Sequence, residues 1–148
     1  MLARLRPLTI MLALCALPTA TLGQDTTAPG TGGGGGPGLA LELNKLEEIE
    51  GACRAYFIVR NGSDTNLTAF ELDTFLFDPD EIILQRLALP FGGVAASKMR
   101  IVPFEFQLPC TAIGKLFVNE IITCEAGAPL DCDATLTTSS RAPAALDY

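Results

Sequence analysis

An antiparallel β-sandwich of about seven strands, pinned by two disulfides, is the fold class that three observations predict. Side chains alternate with a period of two through most of residues 39–140, setting one row on a buried face and the other outward. Turn-forming clusters interrupt that alternation at the short intervals of sandwich strands. Four cysteines, Cys53, Cys110, Cys124 and Cys132, fall within the same stretch. An even count in an exported chain of this size reads as a disulfide framework, whereas zinc sites favour Cys-x-x-Cys spacings or histidine, and this chain has neither.

Export is read from the leader. Arg4 and Arg6 precede an uncharged, mostly apolar run at residues 8–17, and Thr21, Leu22 and Gly23 offer small residues at the −3 and −1 positions of a cut. That pattern predicts a signal peptide over residues 1–23, with an apolar core too short to span a bilayer. Cys15 lies inside this core with Leu14 before it, so it is expected to leave with the signal rather than carry a lipid. Residues 24–38 are rich in Gly and Pro and read as a disordered linker. Their glycines lack the flanking strand and helix that a phosphate-cradling loop requires.

The leader removes two of ten basic residues, leaving eight against seventeen acids and a net charge of −9. Such a surface repels phosphate backbones and anionic lipid, so neither nucleic acid nor membrane insertion is expected of the exported chain. The predicted location is periplasmic or secreted.

The strands are justified in order. Leu39, Leu41 and Leu43 share one face; Cys53, Ala55, Phe57 and Val59 share another; Phe70, Leu72, Thr74 and Leu76 share a third. Asn61-Gly62-Ser63-Asp64 and Asp78-Pro79-Asp80 are turn chemistry between them. Residues 82–89 form the next apolar run, closed by Pro90-Phe91-Gly92-Gly93. Residues 98–108 change phase, with Met99 and Ile101 on one parity and Phe104, Phe106 and Leu108 on the other. Pro103 at the switch predicts a bulge or an edge position. Residues 111–124 fit a strand or one face of a helix; the β context favours a strand from about Lys115, after a short turn at 112–114. Residues 132–138 read as the last strand and 141–148 as a flexible tail.

The runs Val59-Arg60-Asn61-Gly62-Ser63, Phe75-Leu76-Phe77-Asp78 and Pro90-Phe91-Gly92-Gly93 resemble, in that order, the FxLYD-type immunoglobulin-like domains of bacterial envelope proteins. The resemblance covers residues 52 to about 106, and the chain is also similar to uncharacterised exported proteins of Gram-negative bacteria. It departs in Glu81, which stands where a turn glycine is usual, and in the four cysteines. It implies an immunoglobulin-like sandwich in which the start of the second strand lies near the end of the fifth. Cys53–Cys110 with Cys124–Cys132 is then the favoured pairing, and Cys53–Cys124 between sheets the alternative.

The chain has no histidine, so Ser-His-Asp and Cys-His nucleophile arrangements are excluded, and no cofactor is expected. Asp78, Asp80 and Glu81, with Asp73 nearby, form the densest acidic cluster. They read as oxygen ligands for Ca²⁺ or as an Asx turn bonding its own backbone, and the absence of EF-hand spacing favours the turn. Arg54, Tyr56 and Arg60, with Ile58, project from one face of one strand, a stripe that serves either as a binding surface or as an ordinary outer face. Asn61-Gly62-Ser63 and Asn66-Leu67-Thr68 are N-x-Ser/Thr triplets, glycosylation acceptors only in a eukaryotic secretory pathway. The predicted function is a non-enzymatic protein-binding or accessory module of the cell envelope, acting on an envelope protein partner. The alternatives are a carboxylate-dependent secreted hydrolase, which needs two acids across a cleft, and a purely structural envelope protein.

Overall fold

The computed structural model describes residues 38–148. The predicted signal peptide, Cys15 and all of the predicted linker except Gly38 lie outside the described residues.

Eight strands form two four-stranded sheets packed face to face. Sheet A contains β1 (Leu39–Ile49), β2 (Ala52–Asn61), β5 (Met99–Phe106) and β7 (Thr137–Ser140) in the order β5-β2-β1-β7. Sheet B contains β3 (Leu67–Phe77), β4 (Ile83–Pro90), β6 (Lys115–Ala126) and β8 (Ala145–Asp147) in the order β4-β3-β6-β8. The core is built from the rows that the alternation marks: Leu39, Leu41 and Leu43 of β1, Ala55, Phe57 and Val59 of β2, and Phe70, Leu72 and Leu76 of β3. A two-residue hairpin joins Ile49 to Ala52, with Gly51 at φ 79°, a conformation that costs glycine nothing.

Asn61 ends β2 as a buried cap rather than a solvated turn residue. Its Nδ2 donates to the carbonyls of Thr65 and Val94, and its Oδ1 accepts from the backbone and hydroxyl of Ser63. Asn66, the other triplet asparagine, is exposed.

Both outer prolines sit where their missing N–H costs no ladder bond. The amide of Asn61 donates to Lys98 O at 2.9 Å, so Arg60 and Met99 form a non-hydrogen-bonded pair. Alternation along β5 then turns the backbone polar groups of Met99, Ile101, Pro103 and Glu105 toward its open edge. By the same logic, Phe91 N donating to Phe70 O turns Pro90 of β4 outward. The phase change at Pro103 is therefore an edge effect with no bulge. Val102, Phe104 and Phe106 face the core in one unbroken register, and Met99 and Ile101 lie on the outer face.

Three expectations are corrected. First, two of the pairings, β1 with β7 and β6 with β8, are parallel rather than antiparallel. Residues 132–135 form a single helical turn, α1 (Cys132–Thr135), capped by the Asp131 carboxylate accepting from Ala134 N, and strand geometry starts only at Thr137. Third, the segment expected to be a flexible tail carries β8, because Ala144 and Leu146 are buried and Ala145 N donates to Gly114 O. The apolar run 82–89 is exposed over most of its length. Its strand lies at the edge of sheet B, Leu89 alone is fully buried, and Ile82, Ile83 and Leu84 are exposed. Residues 115–126 form a strand, β6, after a 3-10 turn at Cys110–Ala112.

Disulfides join Cys53 to Cys110 and Cys124 to Cys132. The first ties the start of β2 to the turn after β5. The second ties β6 to α1, where the chain crosses from sheet B to sheet A.

Candidate functional site

The outer face of sheet A collects the predicted stripe. Arg54, Tyr56 and Arg60 are all half-buried there, and the neighbouring strands divide them into two groups. Around Glu47 of β1, the Tyr56 hydroxyl donates to Oε2 at 2.8 Å, Lys45 bonds Oε1 at 2.6 Å and Arg54 stands 3.8 Å away. Arg54 also donates from Nε and Nη2 to Glu105 of β5. The hydrogen bonds from Lys45 and Tyr56 hold the Glu47 carboxyl below its ordinary range. Arg60 stands apart from this network, with its guanidinium on Met99 Sδ at 2.9 Å. Between the two groups lies an apolar strip of Ile58, Ile101 and Met99, the last two 58% and 56% exposed. Tyr, Arg and Met around an apolar centre are the residue types that interfaces enrich.

The acidic turn is built by Asp78. Its Oδ1 accepts from the amides of Asp80 and Ile82, the Asx geometry that competes with ion binding for the same oxygen. Glu81 takes φ 62°, the left-handed conformation for which a glycine is the usual residue, and its carboxylate bonds Lys115 Nζ at 2.8 Å. That bond and the charge of Lys115 lower the Glu81 pKa. Asp80 is exposed at the tip. The turn borders a cleft of about 730 Å3 at one end of the sandwich, floored by Leu46, Ile113 and Pro143 and edged by Asp78, Glu81, Lys115 and Asp147. Gly114 lets this end close: a Cβ there would stand 2.6 Å from Asp78 O.

Sequence reasoning passed over one polar site. Asp73, assigned only to the acidic cluster, is 4% exposed on sheet B. Arg86 Nε of β4 donates to its Oδ1 at 2.7 Å and Asn119 Nδ2 of β6 to its Oδ2 at 2.8 Å. A bulge in β6 places Asn119 for that contact, since Asp73 and Thr74 pair with Glu120 and Val118 and skip the residue between. The three residues lie on three strands far apart in sequence, so the only local signal was a charge at a strand position flanked by buried neighbours.

This arrangement has a pH consequence. Hydrogen bonds from Arg86 and then Asn119 depress the Asp73 pKa, as Lys45 and Lys115 do for Glu47 and Glu81. A carboxyl whose folded pKa is depressed contributes stability that is full above the unfolded value, about 4, and is lost as pH falls through the folded value. The melting temperature is therefore expected to hold above about pH 5 and fall below about pH 4, with the fall shallower in Asp73→Asn. Calorimetric melts across this range check it, and an unchanged acid limb in the variant would remove Asp73 from the account.

No helix among the described residues is long and apolar enough to cross a membrane. No protein-family model matches the chain, and no curated protein matches it. Among solved structures the chain is similar to IrmA from Escherichia coli, with 12% sequence identity over 68% of this chain and 90% of that one, at a TM-score of 0.52. The likeness is one of fold.

Proposed function

We propose that this protein is an exported, non-enzymatic β-sandwich, periplasmic or secreted, which binds another protein of the cell envelope through the outer face of sheet A. The observation that carries this reading is the exposed Met99–Ile101 pair of β5 beside the half-buried Ile58 and Tyr56, an apolar strip rimmed by Arg54 and Arg60 on a rigid two-sheet scaffold. Export is supported by the leader pattern and by two disulfides, which persist in oxidising compartments. Kinship with the FxLYD-type domains belongs to the same reading and rests on the three quoted runs. Three of the acids on which a hydrolase could draw are engaged by neighbours. Asp78 binds its own turn, Glu81 holds Lys115 and Asp73 holds Arg86.

The test is photo-crosslinking in the producing cell, with p-benzoylphenylalanine replacing Ile101 on sheet A or, as control, Ile122 on sheet B. One discrete protein adduct at position 101, absent at 122, is the expected result. No adduct at 101, or the same products at both positions, would overturn binding through sheet A.

A further inference from the structure

The charges at one end of sheet A go further. Of the eight described cations, Lys45, Arg54, Arg86, Lys115 and Arg141 each sit within ion-pair distance of a carboxylate. Arg60, Lys98 and Arg100 have no carboxylate within that distance among the described residues. They are also neighbours, because Arg60 pairs with Met99, Val59 with Arg100, and Lys98 O accepts from Asn61 N. Arg60 rests on a thioether sulfur and Arg100 Nη1 donates to Gly93 O at 3.1 Å, neutral partners that leave both charges uncompensated. In a chain with seventeen acids and ten bases, these cations without an acid give this end of sheet A a positive potential, with Arg60 on the outer face beside Met99 and Arg100 on the opposite face beside Val59.

The same rungs carry an open edge. The backbone N–H and C=O groups of Met99 and Ile101 face away from β2, their side chains are exposed, and Pro103 ends the run. A strand added here hydrogen-bonds at Met99 and Ile101, sets apolar side chains opposite those two and places the residue between them opposite Arg100.

We propose that this edge takes an extended segment of a protein partner in which apolar and acidic residues alternate, the acids meeting Arg100 and the neighbouring Lys98. This rests on the sheet A reading and names the chemistry of its partner. An anionic bilayer offers the same charge, but it presents that charge as a continuous plane which the acidic remainder of the protein opposes. A peptide places one or two acids where the cations are.

The probes are fluorescein-labelled hexapeptides of alternating valine and glutamate or valine and lysine, added to the full exported chain and followed by anisotropy. Phosphatidylglycerol vesicles are the third probe. The valine–glutamate peptide is expected to bind, the lysine peptide not, and added salt to weaken binding. K98E/R100E should cost about fivefold or more, the combined weight of two exposed ion pairs of a few-fold each. The two wild-type peptides make the test independent of whether that variant folds. No binding of the glutamate peptide, equal binding of both peptides, or an unmoved double variant overturns the acidic partner. If both peptides bind equally and I101D abolishes both, sheet A remains a binding face and only the partner's charge is wrong. Binding to vesicles without peptide preference makes the cations a lipid site and likewise overturns the proposal.

Discussion

Replacing Cys53 and Cys110 together with alanine is expected to lower the unfolding free energy by about 4 kcal/mol, and replacing Cys124 and Cys132 by about 2.5 kcal/mol. The difference follows from the loops closed, since the first bond spans 57 residues and the second 8. In the chain-entropy model the longer loop removes more freedom from the unfolded chain. The first bond also closes a topological gap, tying the start of β2 to the turn that follows β5. Cys53 lies wholly inside the core, so alanine there also leaves a small void. A loss of about 4 kcal/mol is a large part of the stability of a domain this size. Urea titrations of the two double variants measure the ordering. Equal losses would mean that native contacts around the sulfurs, rather than loop entropy, set the effect.

Phe91→Ala is expected to cost about 3–5 kcal/mol, the range for a large aromatic removed from a close-packed core. Phe91 follows β4 and lies between the sheets. Its ring meets Phe104 at 5.2 Å and Phe57 at 5.5 Å edge to face, and Phe70 at 5.7 Å tilted. Three of these rings come from β2, β3 and β5, so this one side chain bridges sheet A to sheet B. Its backbone is also tied down, with Phe91 N donating to Phe70 O at 2.8 Å, which limits collapse around the cavity. Phe75→Ala is the control. That ring is half-exposed on the outer face beneath Arg86, and its loss should cost well under half as much. A fall in the urea midpoint at unchanged slope is the expected signature. A Phe91→Ala loss no larger than that of Phe75→Ala would show that the core repacks around the missing ring.

Much of this fold was legible in the sequence because its signals are local. The leucines of β1, the Cys53–Val59 row and the Phe70–Leu76 row announce their buried faces by period alone, and Asn61 and Asp78 announce turns by side-chain chemistry. Pro103 announced an edge or a bulge, and only the ladder showed which. β8 escaped notice because Ala144, Ala145 and Leu146 carry little strand propensity. They are held by a partner, β6, that lies some thirty residues earlier in the chain. α1 escaped because an Asp131 cap is a short-range competitor to the strand reading of 132–138.

The candidate site divides in the same way. Arg54, Tyr56 and Arg60 on one face of one strand followed from alternation, and so did the self-bonded Asp78 turn from its composition. That Arg54 and Tyr56 share Glu47 while Arg60 is left with Met99 depends on what β1 and β5 place opposite them. The same holds for Asp73, held between Arg86 and Asn119 from two other strands, and for the three cations without acids at Arg60, Lys98 and Arg100. The longer strands, their buried sides, the turns and the composition of the cysteine framework are written in local sequence, because each depends on neighbours within a few residues. Which charges are paired, which edges stay open and how the last strands run follow from the packing of distant segments. Cross-strand partners are set by the register between distant segments, and one residue of shift or one bulge changes every partner along the ladder.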